Sequence, residues 1–238
     1  MEAVYGMHNW PGQQVGKMAT RKGPIMAAMD VFEVKIIGRG GHGALPHLAV
    51  DPILVATQLV NQLQGIVSRN VNPIDAAVVS VTQIHAGDAW AVIPSEVVIR
   101  GTVRSFKPAT RELLRKRMKQ ITAGICSGND CEFEWWYDHR FPPTVNSSLE
   151  TDAVSKACRS LLGTANYNDD VDPSTGSEDF GYMLEAKPGC YTFIGNGSAD
   201  GGCLLHNPRY DFNDEIIPIG ASYWVQLVEQ ELAVGGNL

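Results

Sequence analysis

Residues 30–52 read DVFEVKIIGRGGHGALPHLAVDP. Phe32, Val34 and Ile36 alternate with Glu33 and Lys35, the period-two pattern of a half-buried strand. A run of glycines follows. Asp51-Pro52 then supplies a helix N-cap and a proline suited to the first helical position. Beyond it Val55, Leu59, Leu63 and Val67, with Val60 and Ile66 beside them, recur at helical spacing. Working outward, residues 76–85 are a nearly continuous apolar and Ser/Thr run. Residues 96–106 alternate, with Val97, Ile99 and Val103 on one side and Arg100, Thr102 and Arg104 on the other. Pro108 opens a second helix with Leu114, Met118, Ile121 and Ile125 on its buried stripe. In residues 131–139, Phe133, Trp135 and Tyr137 oppose Glu132, Glu134 and Asp138. Strand, helix, strand, strand, helix, strand is the split βαβ, ferredoxin-like arrangement. It is expected to end at Phe141-Pro142-Pro143.

The flanks read differently. An apolar strand over residues 3–7 ends near His8 and is broken by Pro11-Gly12. Residues 149–162 predict a helix capped by Ser148 and stopped by Gly163. Residues 190–194 predict a short buried strand, followed by a glycine-rich loop over residues 195–202. His206 comes next, and residues 217–233 predict a closing helix. Alternating strand and helix imply an α/β layer. The expectation is an α/β chain in which residues 1–28 and 143–238 form part of an α/β domain. The ferredoxin-like unit of residues 29–142 interrupts it.

Among the 238 residues 44% are apolar and 19% charged, enough for a packed core. The net charge of −7 comes with no basic run, so neither nucleic acid nor an anionic membrane is an expected partner. No apolar stretch reaches membrane-spanning length. The first residues lack the basic start and apolar core of a secretory signal, so a cytoplasmic location is expected. Five cysteines without C-x-x-C spacing argue against a zinc ribbon or disulfide scaffold.

Residues 38–43 fit G-x-G-x-x-G after a strand. A dinucleotide site would need a helix to open there and an acidic residue further on. Pro46 follows instead, and residues 58–64 hold no acid, so that reading is rejected. The glycines let the backbone turn and leave His42 exposed on a mobile loop. It is either incidental there or a donor to a substrate oxygen. His8 and His206 lie near strand or loop ends of the α/β part, where ligands bind. They are either ordinary hydrogen-bonded histidines or metal ligands. No G-x-S-x-G elbow occurs. Cys203 is discounted as a nucleophile, because catalytic Cys/His pairs are normally distant in sequence. Glu178 and Asp179 read as the acidic first turn of a short helix capped by Ser177, or as paired carboxylates. His47, His85 and His139 receive no role.

Taken in order, MHNWPG, GRGGHGALPHLAVDP, HAGDAWAVIP, GTVRSF, GSEDF and LLHNPRYDFND resemble the dinuclear-metal aminoacylase and carboxypeptidase group. The closer resemblance is to its N-acyl-amino-acid amidohydrolase branch, which includes hippurate hydrolase and the plant auxin-conjugate hydrolases. The resemblance spans essentially the whole chain. It implies a zinc-peptidase-like α/β domain with two divalent metals (Zn, Mn, Ni or Co), interrupted by a ferredoxin-like lid that also forms a homodimer. It implies His8 and His206 as metal ligands and His42 as the oxyanion-stabilising catalytic histidine, often supplied by the partner subunit in related enzymes. Arg104 and Glu178 follow as substrate-binding residues, with the guanidinium fork suited to a substrate carboxylate. Two departures stand out. The family's Cys-x-His-type metal segment is missing, and there is no His-Asp-Gly-His run or Glu-Glu dipeptide to supply a ligand and the general base. The chain therefore resembles the C-terminal part of a longer enzyme, expected to be a weak catalyst alone. A non-catalytic dimerisation or binding module is the alternative. The second departure is Ala91, where the family has asparagine before Val-Ile-Pro. Losing an oxyanion donor there costs about 3 kcal/mol in the transition state.

Overall fold

A computed structural model describes residues 1–199 and 204–232. Cys203, part of the glycine-rich loop and the end of the predicted closing helix lie outside the described residues. In chain order the elements are β1 (Val4–Trp10), β2 (Met18–Ala19), β3 (Gly23–Met26), β4 (Ala28–Ile37), β5 (Gly41–His42) and α1 (Pro52–Arg69). Then come β6 (Ala77–His85), β7 (Val92–Ile93), β8 (Glu96–Ser105), α2 (Pro108–Ser127), β9 (Glu132–Phe141) and β10 (Thr144–Asn146). The chain continues through α3 (Ser148–Leu162), β11 (Tyr167–Asn168), α4 (Phe180–Ala186), β12 (Gly189–Gly195) and α5 (Ile217–Glu231). It is a mixed α/β protein of two compact units. One comprises Met1–Met26, Thr144–Ser174 and the described residues from Glu178 onward; the other comprises Ala27–Pro143 and Thr175–Ser177.

The second unit holds an antiparallel sheet in the order β6-β8-β4-β9. Alternation places Phe32, Val34 and Ile36 of β4 and Val97, Ile99 and Val103 of β8 on the buried face. There they meet Leu59, Leu63 and Ile66 of α1 and Leu114 and Met118 of α2. Asp51 caps α1 by accepting the Ile53 N–H at 2.9 Å. On α2 the fully buried line is Thr110, Leu114, Met118, Thr122 and Cys126, so Ile121 and Ile125 flank the predicted stripe. Gly101 is obligatory: a Cβ there would lie 2.1 Å from the Ser80 carbonyl oxygen and 2.6 Å from Phe32.

Where β4 begins, a register shift at Met29/Asp30 accompanies a buried charge. Asp30, 1% exposed, accepts Arg111 Nε at 2.9 and 3.1 Å, Tyr137 Oη at 2.7 Å and His139 Nδ1 at 2.9 Å. Arg111 Nη2 also donates to Asp30, and to the Phe141 carbonyl at 3.0 Å. A buried charge needs such partners. His139 thus gains a structural partner that its sequence setting did not reveal.

In the first unit the sheet order is β1-β12-β2-β11, with β1 and β12 parallel. All of β12 is buried. Met18, Cys158, Cys190, Ile194, Tyr223 and Leu227 form one cluster; Ile25, Phe180, Tyr191 and Phe193 form another. β1 runs past His8 to Trp10, because pairing with β12 continues to Trp10 opposite Gly195. His8 therefore lies inside the strand rather than at its end. Two cap assignments also change. Ser147, not Ser148, precedes α3, and its hydroxyl accepts the Gly189 N–H at 3.2 Å instead of capping the helix. Asp179, not Ser177, precedes α4. No described helix is long and apolar enough to cross a membrane.

Candidate active site

His8 takes its setting from β1, which is half-buried along its length and lies at the sheet edge among the described residues. The ring meets Trp10 and Tyr191 edge-on, with centroids 5.8 and 6.4 Å away. Its Nδ1 donates to the Asn9 carbonyl oxygen at 2.6 Å. A ring nitrogen facing a carbonyl oxygen must carry the proton. The neutral ring then presents Nε2 as a bare lone pair, the form in which imidazole binds a cation. Beside it lies an apolar cavity of about 430 Å³ lined in part by Met7, Ile194, Phe212 and Trp224.

His206 is exposed on the loop before α5, with a left-handed φ of 65° that is uncommon outside glycine. That loop is fastened to β1 next to His8, through Asn9. Asn9 Nδ2 donates to Tyr210 Oη. Asn196 Nδ2 donates to the Asp211 carbonyl at 3.2 Å, and the Asn213 N–H donates to Asn196 Oδ1 at 3.0 Å. Asn9 follows His8 directly, and Tyr210 lies a short turn beyond His206. Asparagines thus draw two histidine-bearing segments, near opposite ends of the sequence, to one end of the sheet. Among the described residues no three His, Cys, Asp or Glu side chains are grouped closely enough to hold a metal ion.

Glu178 belongs to the same unit. Its Oε2 accepts the Tyr191 hydroxyl at 2.6 Å and its Oε1 the Asp179 N–H at 2.9 Å. Burial opposes its ionisation, but these hydrogen bonds and the nearby His8 outweigh it and hold the carboxyl below its ordinary range. The neighbouring Asp179 is pushed up by its hydrogen bond and repulsion with Glu178.

His42 and Arg104 belong to the other unit. His42 is exposed, and its segment is paired: β5 pairs with β7, His42 opposite Val92. The Gly43 N–H donates to the Ala91 carbonyl at 2.7 Å, and Arg39 and Val50 exchange two backbone hydrogen bonds of 2.9 Å. A Cβ on Gly43 would stand 3.2 Å from the Ala91 oxygen, so glycine permits this approach. Arg104, half-buried on β8, donates from Nη1 to Ser177 Oγ at 2.7 Å. No carboxylate lies within ion-pair distance of it among the described residues. Burial pulls the guanidinium below its ordinary value, and Asp30 only partly offsets this. A desolvated cation with a neutral partner is prepared for an incoming anion.

The structure thus brings His8, Glu178 and the His206 loop into one unit and places His42 and Arg104 in the other. Sequence reasoning gave Ser177 only a capping role and missed Tyr191 and the trio Asn9, Asn196 and Asn213. Each acts through a single long-range hydrogen bond or two, which leaves no periodic trace.

The sequence profile described as Peptidase family M20/M25/M40 matches residues 1–230. The chain is 40% identical over 229 residues to N-acetyl-L-cysteine deacetylase of Bacillus subtilis, covering 94% of this chain and 52% of that protein. It is 38% identical over 224 residues to hippurate hydrolase of Campylobacter jejuni, covering 94% of this chain and 58% of that protein. A crystal structure of a Bacillus subtilis dinuclear metal binding peptidase from the M20 family superposes with TM-score 0.80 at 29% identity. The match covers 98% of this chain and 58% of that one. The chain spans little more than half the length of these relatives. It belongs to peptidase family M20/M25/M40.

Proposed function

We propose that this family member serves metal-dependent hydrolysis of the amide bond of an N-acyl amino acid. The observation that supports this most is the pairing of segments at the end of β1. His8 offers Nε2 as a lone pair, and the loop bearing His206 is tied to Asn9. Two neutral imidazoles are donors of the type a divalent metal takes, and they would be its ligands in this chain. Such an ion supplies Lewis acidity and lowers the pKa of bound water. The relatives named hippurate hydrolase and N-acetyl-L-cysteine deacetylase act on substrates of this class.

The chain's own residues then divide the work. Arg104 binds the substrate carboxylate through the guanidinium nitrogens that Ser177 leaves free. Glu178, ionised and held by Tyr191, accepts the substrate amide N–H through its remaining lone pairs. His42 donates to the carbonyl oxygen as it gains charge. The unit spanning residues 29–142 acts as a ferredoxin-like lid and mediates a homodimer. These 238 residues hold no Glu-Glu pair to supply a base, so turnover by this chain alone is expected to be weak.

Metal analysis and calorimetric titration with zinc, manganese and nickel test the reading, alongside hydrolysis of N-benzoylglycine. Binding of a divalent ion that weakens in both His8→Ala and His206→Ala supports it. Equal metal content in the wild type and both variants would leave only the non-catalytic binding module. Fast turnover would refute the expected weakness.

A further inference from the structure

We infer that His42 is locked as the Nε2–H tautomer by a backbone group, the Ala44 N–H, which makes its ring a fixed hydrogen-bond donor. The Ala44 N–H points at His42 Nδ1, 3.0 Å away. A backbone amide only donates, so Nδ1 must be the bare nitrogen and the ring proton must sit on Nε2. A tight turn enforces this: the Leu45 N–H closes onto the His42 carbonyl at 2.8 Å. The Gly43 N–H meanwhile donates to the Ala91 carbonyl at 2.7 Å. Three consecutive amides after His42 are thus committed, and the middle one reads the imidazole.

His8 carries the opposite tautomer, with Nδ1–H on the Asn9 carbonyl and a bare Nε2. The two rings are assigned opposite chemistry by what their Nδ1 atoms face. One offers a lone pair to a cation and the other a proton to an oxygen. The sequence His42-Gly43-Ala44 encodes the second arrangement: glycine makes room against Ala91, and any residue but proline at position 44 supplies the N–H. Ala44 is therefore a positioning residue acting through its backbone. The catalytic meaning of the locked ring rests on His42 being the oxyanion donor proposed above; the tautomer itself does not.

Imidazole nitrogen-15 NMR on the intact chain tests it, with His42 assigned by difference from His42→Ala. The expected result is a pyridine-like Nδ1 and a pyrrole-like Nε2. Ala44→Pro should move both resonances toward the averaged values of a solvated ring. Amide hydrogen exchange gives an independent measurement should the proline variant misfold. His42→Ala should expose the Ala44 amide about fivefold, the loss of one modest hydrogen bond. His42→Asn, whose side-chain oxygen can accept from the amide two residues on, should preserve its protection. A pyrrole-like Nδ1, or Ala44 exchange unchanged in His42→Ala, overturns the assignment and leaves the amidohydrolase reading intact. The expected spectrum together with turnover undiminished from the wild-type level in His42→Ala would instead remove the oxyanion role and leave the tautomer standing.

Discussion

Replacing Asp30 by alanine should cost the second unit about 4 kcal/mol. Asp30 is buried against Arg111, whose side chain is only 16% exposed. Removing one partner of a buried ion pair costs about 3–5 kcal/mol, because the remaining charge is left uncompensated. Here Arg111 keeps the Phe141 carbonyl, which softens the loss, while Tyr137 loses the acceptor of its buried hydroxyl and adds to it. His139 contributes little: its side chain is 48% exposed and water can replace the carboxylate. Asp30→Asn keeps the shape and one acceptor, and should cost about 2 kcal/mol. The assay is urea unfolding followed through hydrogen exchange of the β4 and β9 amides, since two units need not unfold as one. A loss under about 1 kcal/mol in Asp30→Ala, with unchanged denaturant sensitivity, would refute the assignment of this network as a keystone.

Other substitutions probe separate links. Gly101→Ala pushes a methyl into the Ser80 carbonyl and Phe32, and should lower stability by about 3 kcal/mol, read as a fall in the thermal midpoint. Arg104→Ala should weaken calorimetric binding of N-benzoylglycine by about 1.5–3 kcal/mol, with lysine a poor replacement. Burial pushes the Cys158 thiol up to about 12 and the Cys190 and Cys126 thiols to about 11, from an ordinary 9.0. A raised folded pKa gives stability that is present below pH 9 and lost as pH rises to about 11 for Cys190 and Cys126 and about 12 for Cys158, because over that window only the unfolded chain releases those protons. Chemical denaturation across that window should show the decline, with a shallower slope in Cys158→Ala. Ala91→Asn should fold unperturbed, because residue 91 is exposed and meets Gly43 only through its backbone; equal melting curves check this.

The sheet and helices of the second unit were legible because burial imposes a period. Alternation along residues 31–37 and 96–105, and the helical repeat of Val55, Leu59 and Leu63, record which side faces the core. The two-residue strands β5 and β7 carry no such record and pair across some fifty residues, so the segment bearing His42 read as a loop. The start of β4 was also obscured, since Asp30 breaks the apolar alternation and is tolerated because Arg111 from α2 and Tyr137 and His139 from β9 reach it. Of the candidate site, the histidines themselves were recognisable. Their proton positions were not, because these depend on a carbonyl one residue away in His8 and an amide two residues away in His42.

The margin of β1 has a practical consequence for handling the protein. Seven half-buried residues in extended form lie at the sheet edge among the described residues. Extended peptides in the same tube can zip onto such a rim, and so can neighbouring molecules as concentration rises. Self-association should therefore begin at Val4–Trp10.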